Sequence, residues 1–204
     1  MPRGEARQLN IRQRQLVVSA GGGMVGAPLF QVAIEAQAIL WDKLKLPMTI
    51  VAGPFLPEAD WLELQGQANN LPGLTLHRSV PNMTDLLASH SISVSQCGYN
   101  TVMDILKSGI AALVVPFAQG QEDEQTNRAK RLSQLGLLRT VDADGLDVDL
   151  FVGEVERLLQ FVPDSAALDV DGAARSADII SDLLSSKTSA MQKESLVRLE
   201  AAYG

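Results

Sequence analysis

Six short apolar runs, separated by stretches of helical periodicity, leave few architectures open to this chain. They are residues 15–20 (QLVVSA), 48–52 (MTIVA), 74–80 (LTLHRSV), 91–95 (SISVS), 111–116 (AALVVP) and 137–141 (LLRTV). Between them, apolar residues recur at steps of three and four over 28–41, and helices are also expected at 57–68, 82–88, 100–107 and 122–135. Each run is apolar enough to be buried on both faces, which suits a parallel sheet covered by helices on both sides. The expected fold is therefore α/β, a doubly wound six-stranded parallel sheet of Rossmann-like form. After the last strand only helices are expected, at 147–161 and 172–185, with a polar helix from residue 189. The expected division is an arm over 1–14, the sheet domain over 15–186 and a terminal helix over 187–204.

In such a sheet a ligand binds beyond the carboxyl ends of the strands, where the strand order reverses. With the order 3-2-1-4-5-6 the first and fourth strands flank that point. The loops to inspect are then 21–27 and 96–101.

Composition removes several alternatives. There are 24 acidic and 17 basic side chains, a net charge of -7, so a global basic footprint for nucleic acid is absent. Residues 3–14 carry four arginines against one glutamate and read as a solvated arm or linker. Cys97 is the one cysteine, which excludes a disulfide framework and a structural zinc site. No apolar leader and no run of membrane-spanning length is evident, so the expectation is a cytoplasmic protein, with a peripheral membrane contact left open.

The first loop, SAGGGMVGAP, contains Gly21, Gly23 and Gly26, the spacing G-x-G-x-x-G. Such a loop lets backbone N–H groups approach a phosphate, aided by the dipole of the helix that follows. A nicotinamide dinucleotide also requires an acid after the second strand, or an arginine for a 2′-phosphate. The second run ends in VAGPF, with neither. Phosphate binding and a plain tight turn both stay open for this loop.

The second loop opens SQCGYNTVMDILKSG. Gly98 permits an unusual turn, and Asn100 and Thr101 fall where small polar side chains cap a helix or meet an anion. Asp104 lies on the same helix face as both. A carboxylate one turn behind an anion site suits a ribose diol; a capping residue and a solvent-facing charge explain the same pattern. Further on, Glu122, Asp123, Glu124 and Gln125 gather at a helix start, where the dipole alone favours acids. Alternatively, Glu124 and Gln125 hydrogen-bond sugar hydroxyls.

The run from Val80 to Gly136 resembles the donor-binding, C-terminal domain of GT-B glycosyltransferases, most of all that of glycosyltransferase family 28, the MurG-like family. It also resembles the plant UDP-glycosyltransferase signature, in which T-H-C-G-W-N-S-x-x-E is followed by a small loop and D-Q. The likeness extends from Val17 to about Leu159. It implies a nucleotide-sugar site, with UDP-hexose or UDP-GlcNAc as donor. Gly22 and Gly23 would border the diphosphate, and Val80 would offer backbone groups to the base. Gln96, Gly98, Asn100 and Thr101 would meet the diphosphate, Asp104 the ribose, and Glu124 with Gln125 the transferred sugar. Gln96 stands in place of a histidine, Asp104 in place of a longer glutamate, and Glu124 in place of Asp or Gln.

The resemblance further implies an inverting hexosyltransferase that needs no metal and no cofactor. Its acceptor site and base would lie on an N-terminal GT-B domain, a partner absent from these residues, so that this chain alone would bind donor without turning it over. A UDP-sugar epimerase of GT-B form and a non-catalytic Rossmann-type nucleotide-binding module are the alternatives.

Overall fold

The computed structural model describes residues 14–117, 123–164, 172 and 175–184. It contains one six-stranded sheet, every adjacent pair parallel: β1 (Leu16–Ser19), β2 (Met48–Val51), β3 (Leu74–His77), β4 (Ile92–Gln96), β5 (Ala111–Val115) and β6 (Arg139–Thr140). The strand order is β3-β2-β1-β4-β5-β6, the doubly wound order expected, with its reversal between β1 and β4. The helices are α1 (Ala27–Leu44), α2 (Glu58–Ala68), α3 (Met83–Ser89), α4 (Tyr99–Ser108), α5 (Glu124–Gln134) and α6 (Val148–Leu158).

Alternation within the strands builds a core on each face. Leu16 and Val18 join Ile50, Val94 and Leu113 under α1 and α6, with Phe30 and Phe151 as the largest buried side chains. Val17, between them in sequence, joins Ala112 and Val114 beneath α4 and α5, where Val102, Ile105 and Ala129 complete the second core. A one-residue slip of any central strand would exchange the two sets.

The outer strands depart from the expectation of runs buried on both faces. β3 alternates half-buried and exposed, LTLH, because it has a neighbour on one side only. β6 is two half-buried residues, Arg139 and Thr140. The buried leucines before them, Leu137 and Leu138, are core residues outside the strand. Arg139 is held by Glu154 of α6, whose carboxylate also accepts from Arg157, so an ion-paired cluster anchors the last strand.

Helix starts follow local chemistry in two cases. The Asn82 side chain accepts from the Asp85 N–H at 3.2 Å to cap α3. Asp147 does the same for α6, accepting from Leu150 N–H at 2.8 Å. Residues 175–184 are helical and form part of a separate compact unit. The arginine-rich segment of residues 3–13 and the helix expected from residue 189 lie outside the described residues.

Candidate functional site

The carboxyl ends of β1 and β4 are joined below the surface by hydroxyls. Ser19 Oγ and Ser95 Oγ lie 3.0 Å apart, both buried, and Ser95 also meets Ser93 at 3.3 Å. Above this pair the two loops that the strand order singles out come together. Gly21 has φ +58°, and a methyl group placed on it would lie 3.2 Å from Thr101 Oγ1. The glycine turn and the first turn of α4 are thus in contact across the switch point.

The other glycines of the loop serve different ends. Gly23 has φ +91°, and a methyl on it would lie 2.1 Å from the Ala52 carbonyl oxygen. Gly53 faces it in return: at φ +95°, a methyl there would lie 2.5 Å from the Gly22 carbonyl. The loops after β1 and β2 therefore pack backbone to backbone, tied by Phe55 N–H donating to Gly22 O at 2.8 Å. The Gly23 N–H donates to Ala20 O at 3.0 Å within the turn. Gly26 sits against Ala20 and the Phe30 ring, with 2.6 Å to each from an added methyl. It is the residue at which α1 packs closely on the sheet.

Gln96 is buried at the end of β4 and donates from Nε2 to the Val25 carbonyl at 2.9 Å. It straps the glycine loop to β4. Gly98 is the N-terminal cap of α4, and its backbone is ordinary: φ −63°, ψ 152°. The unusual turn expected there is absent. A methyl on Gly98 would meet nothing nearer than Thr101 Oγ1 at 3.8 Å, so a glycine leaves open space at the helix start. Asn100 is not the cap; it lies exposed in the first turn, while Thr101 beside it is buried. α4 has no side-chain cap, which leaves its first N–H groups available to an anion.

Asp104 is half-buried one turn further along α4. Its Oδ1 accepts from Thr84 Oγ1 of α3 at 2.7 Å. α3 and α4 thereby flank this carboxylate, and Val80 lies half-buried just ahead of α3. At the other side of the α4 start, Glu124 is the first residue of α5 and pairs with Arg128. Gln125 Oε1 accepts from Phe117 N–H at 3.1 Å, tying the first turn of α5 to the residues just after β5.

Several residues about this site carry no local sequence signal. Arg128 donates to the Cys97 carbonyl at 2.9 Å and lies over the Tyr99 ring at 5.7 Å. Only its i,i+4 spacing to Glu124 is visible in the sequence. Met24 and Phe55, on the loops after β1 and β2, and Tyr99, the first residue of α4, are large apolar side chains left 64–70% exposed. Cys97 itself is buried. Burial pushes its thiol up to about 11 against the pull of Arg128, so it stays protonated and unreactive at neutral pH.

Comparison with known proteins gives this arrangement its setting. Residues 16–183 match the family model described as Glycosyltransferase family 28 C-terminal domain. A curated relative from Cupriavidus pinatubonensis is 31% identical over 150 residues, which is 73% of this chain and 41% of the relative. One from Haemophilus influenzae is 27% identical over 187 residues, 88% of this chain and 51% of the relative. Both are named UDP-N-acetylglucosamine--N-acetylmuramyl-(pentapeptide) pyrophosphoryl-undecaprenol N-acetylglucosamine transferase. The chain spans at most about half the length of these relatives.

Among solved structures, MurG of Acinetobacter baumannii superposes with a TM-score of 0.69 at 17% identity, over 88% of this chain and 55% of that one. The calicheamicin glycosyltransferase CalG4 does so with a TM-score of 0.63 at 25% identity, over 88% and 46%. The sheet order, the two loops at its switch point and the family match agree: the chain belongs to glycosyltransferase family 28, as a C-terminal domain of the GT-B fold.

Proposed function

We propose that this domain binds a nucleotide-diphosphate sugar, most readily UDP-GlcNAc, as the donor half of an inverting glycosyltransferase. The observation that carries the reading is the meeting of the glycine turn with the uncapped start of α4, Gly21 against Thr101, with Asp104 one turn behind. The diphosphate lies over Gly22, Gly23, Gly98, Asn100 and Thr101, with Gln96 holding the two loops together. Asp104, oriented by Thr84, accepts from the ribose hydroxyls. Val80 offers its backbone to the base. Glu124 and Gln125 face the transferred sugar. The names of the curated relatives, which specify UDP-N-acetylglucosamine, support that choice of donor.

In this reading an acceptor hydroxyl attacks the anomeric carbon as its bond to the diphosphate oxygen breaks, inverting the centre. Negative charge grows on the departing UDP, and the α4 N-terminus stabilises it through N–H groups and the helix dipole. The hydroxyl proton passes to a base on a second, N-terminal domain that also carries the acceptor. Residues 1–14 and 187–204 then connect the donor domain to that partner.

Calorimetric titration with UDP, UDP-GlcNAc and NADH tests the reading. UDP and UDP-GlcNAc should bind and NADH should not; binding of NADH without UDP would overturn the donor assignment. Sugar transfer by this chain alone would overturn the assignment of the base to a second domain.

A further inference from the structure

Arg128 joins three parts of the site that sequence keeps apart. Its Nη1 donates to the Cys97 carbonyl at the end of β4, at 2.9 Å. Its guanidinium covers the Tyr99 ring at 5.7 Å. Its Nη2 pairs with Glu124 one turn back on α5. Cys97 and Tyr99 flank Gly98, where α4 begins. A single planar group therefore touches both the turn assigned to the diphosphate and the carboxylate assigned to the sugar.

The two partners of the ion pair are unequal. The Arg128 side chain is 18% exposed and fixed by the carbonyl and the ring; the Glu124 side chain is 80% exposed. An exposed carboxylate in an i,i+4 pair adds little to folding stability, since water screens the attraction and the side chain loses rotamer freedom. Holding Glu124 in one direction does have a use if that carboxylate must meet a ligand, because the entropy of ordering it is then lost before binding. The guanidinium fork suits this task in a way that a lysine ammonium does not.

We infer that Arg128 is a positioning residue for the donor sugar: anchored on Cys97 and Tyr99, it aims the Glu124 carboxylate at the sugar and couples sugar recognition to the diphosphate turn. This rests on the donor reading given above. The test is calorimetry with UDP and with UDP-GlcNAc on the parent chain, Arg128→Met, Arg128→Lys, Glu124→Ala and the Arg128→Met/Glu124→Ala double variant. Arg128→Met should weaken UDP-GlcNAc binding about tenfold more than UDP binding, the scale of coupling between contacting residues. Glu124→Ala should show the same unequal loss, and the double variant no further loss. Arg128→Lys, which keeps the charge without the fork, should fall between parent and Arg128→Met.

Equal losses for both ligands, or additive losses in the double variant, would overturn the inference and leave Arg128 a structural staple. Should Arg128→Met fail to fold by circular dichroism, Arg128→Lys decides alone, by an unequal or an equal loss. A parent that binds UDP and UDP-GlcNAc equally tightly overturns sugar positioning but not the donor site. A parent that binds neither overturns the donor reading itself.

Discussion

Asp104 and Gly53 show how differently two residues can serve one site. The Asp104 carboxylate already accepts from Thr84 with one oxygen, which orients it while leaving acceptor capacity for a ligand. If it holds a ribose, Asp104→Ala should weaken UDP binding by about 1–3 kcal/mol, the cost of removing a hydrogen-bond partner to a charged group. Unchanged affinity in a titration would remove that role. Gly53 touches no ligand in the proposed arrangement, yet the glycine turn leans on it. With φ +95° and the Gly22 carbonyl 2.5 Å from any added methyl, Gly53→Ala must push the two loops apart. It should cost about 1–3 kcal/mol in denaturant unfolding through backbone strain and overpacking. A variant as stable as the parent would show that the loops accommodate the methyl. The backbone contact of Gly53 with Gly22 and Gly23 was not visible in the sequence, because it is made between loops that follow different strands.

At the scale of elements, all six strands were legible in place, but the last is much shorter than its apolar run, Arg139–Thr140 within residues 137–141. β1, β2 and β5 announce themselves because largely apolar runs have few other places to go, and β4 because Ile92 and Val94 alternate with small serines. The cap of α3 depends on local chain alone, Asn82 accepting from the N–H three residues on. β6 depends on something remote: its Arg139 is fixed by Glu154, fifteen residues later on α6. Burial pushes the Glu154 carboxyl up, but the hydrogen bonds and charges of Arg139 and Arg157 outweigh it and hold it below its ordinary value. A folded-state value below the unfolded one means stability that is present above the ordinary carboxylate range and lost as pH falls through it. Glu154→Gln should therefore lower stability at pH 7 by about 1–2 kcal/mol, the lower part of the range for charged hydrogen bonds because Arg157 is largely exposed. It should also shrink the drop in melting temperature between pH 7 and pH 3. A melting curve with the same acid dependence as the parent would contradict this.

At the scale of the molecule, the number and apolarity of the runs pointed to a doubly wound parallel sheet, and the loops at the reversal follow once the order 3-2-1-4-5-6 is taken, which is the order found. The cluster around Arg128 was beyond sequence reasoning, since it gathers a carbonyl from the residue after β4, a ring from α4 and a carboxylate from α5. The same order also dictates when the site can exist. β1 and β4, whose Ser19 and Ser95 meet at its base, lie 76 residues apart in the chain. Closing so long a loop is entropically costly and slow, whereas the βα units on either side are assembled from neighbours in sequence. Each half of the sheet can therefore gather its own strands early, but neither half alone contains a cleft. If the domain binds a nucleotide as proposed, binding requires the joining of the two halves and would report the long-range step in the folding of this domain.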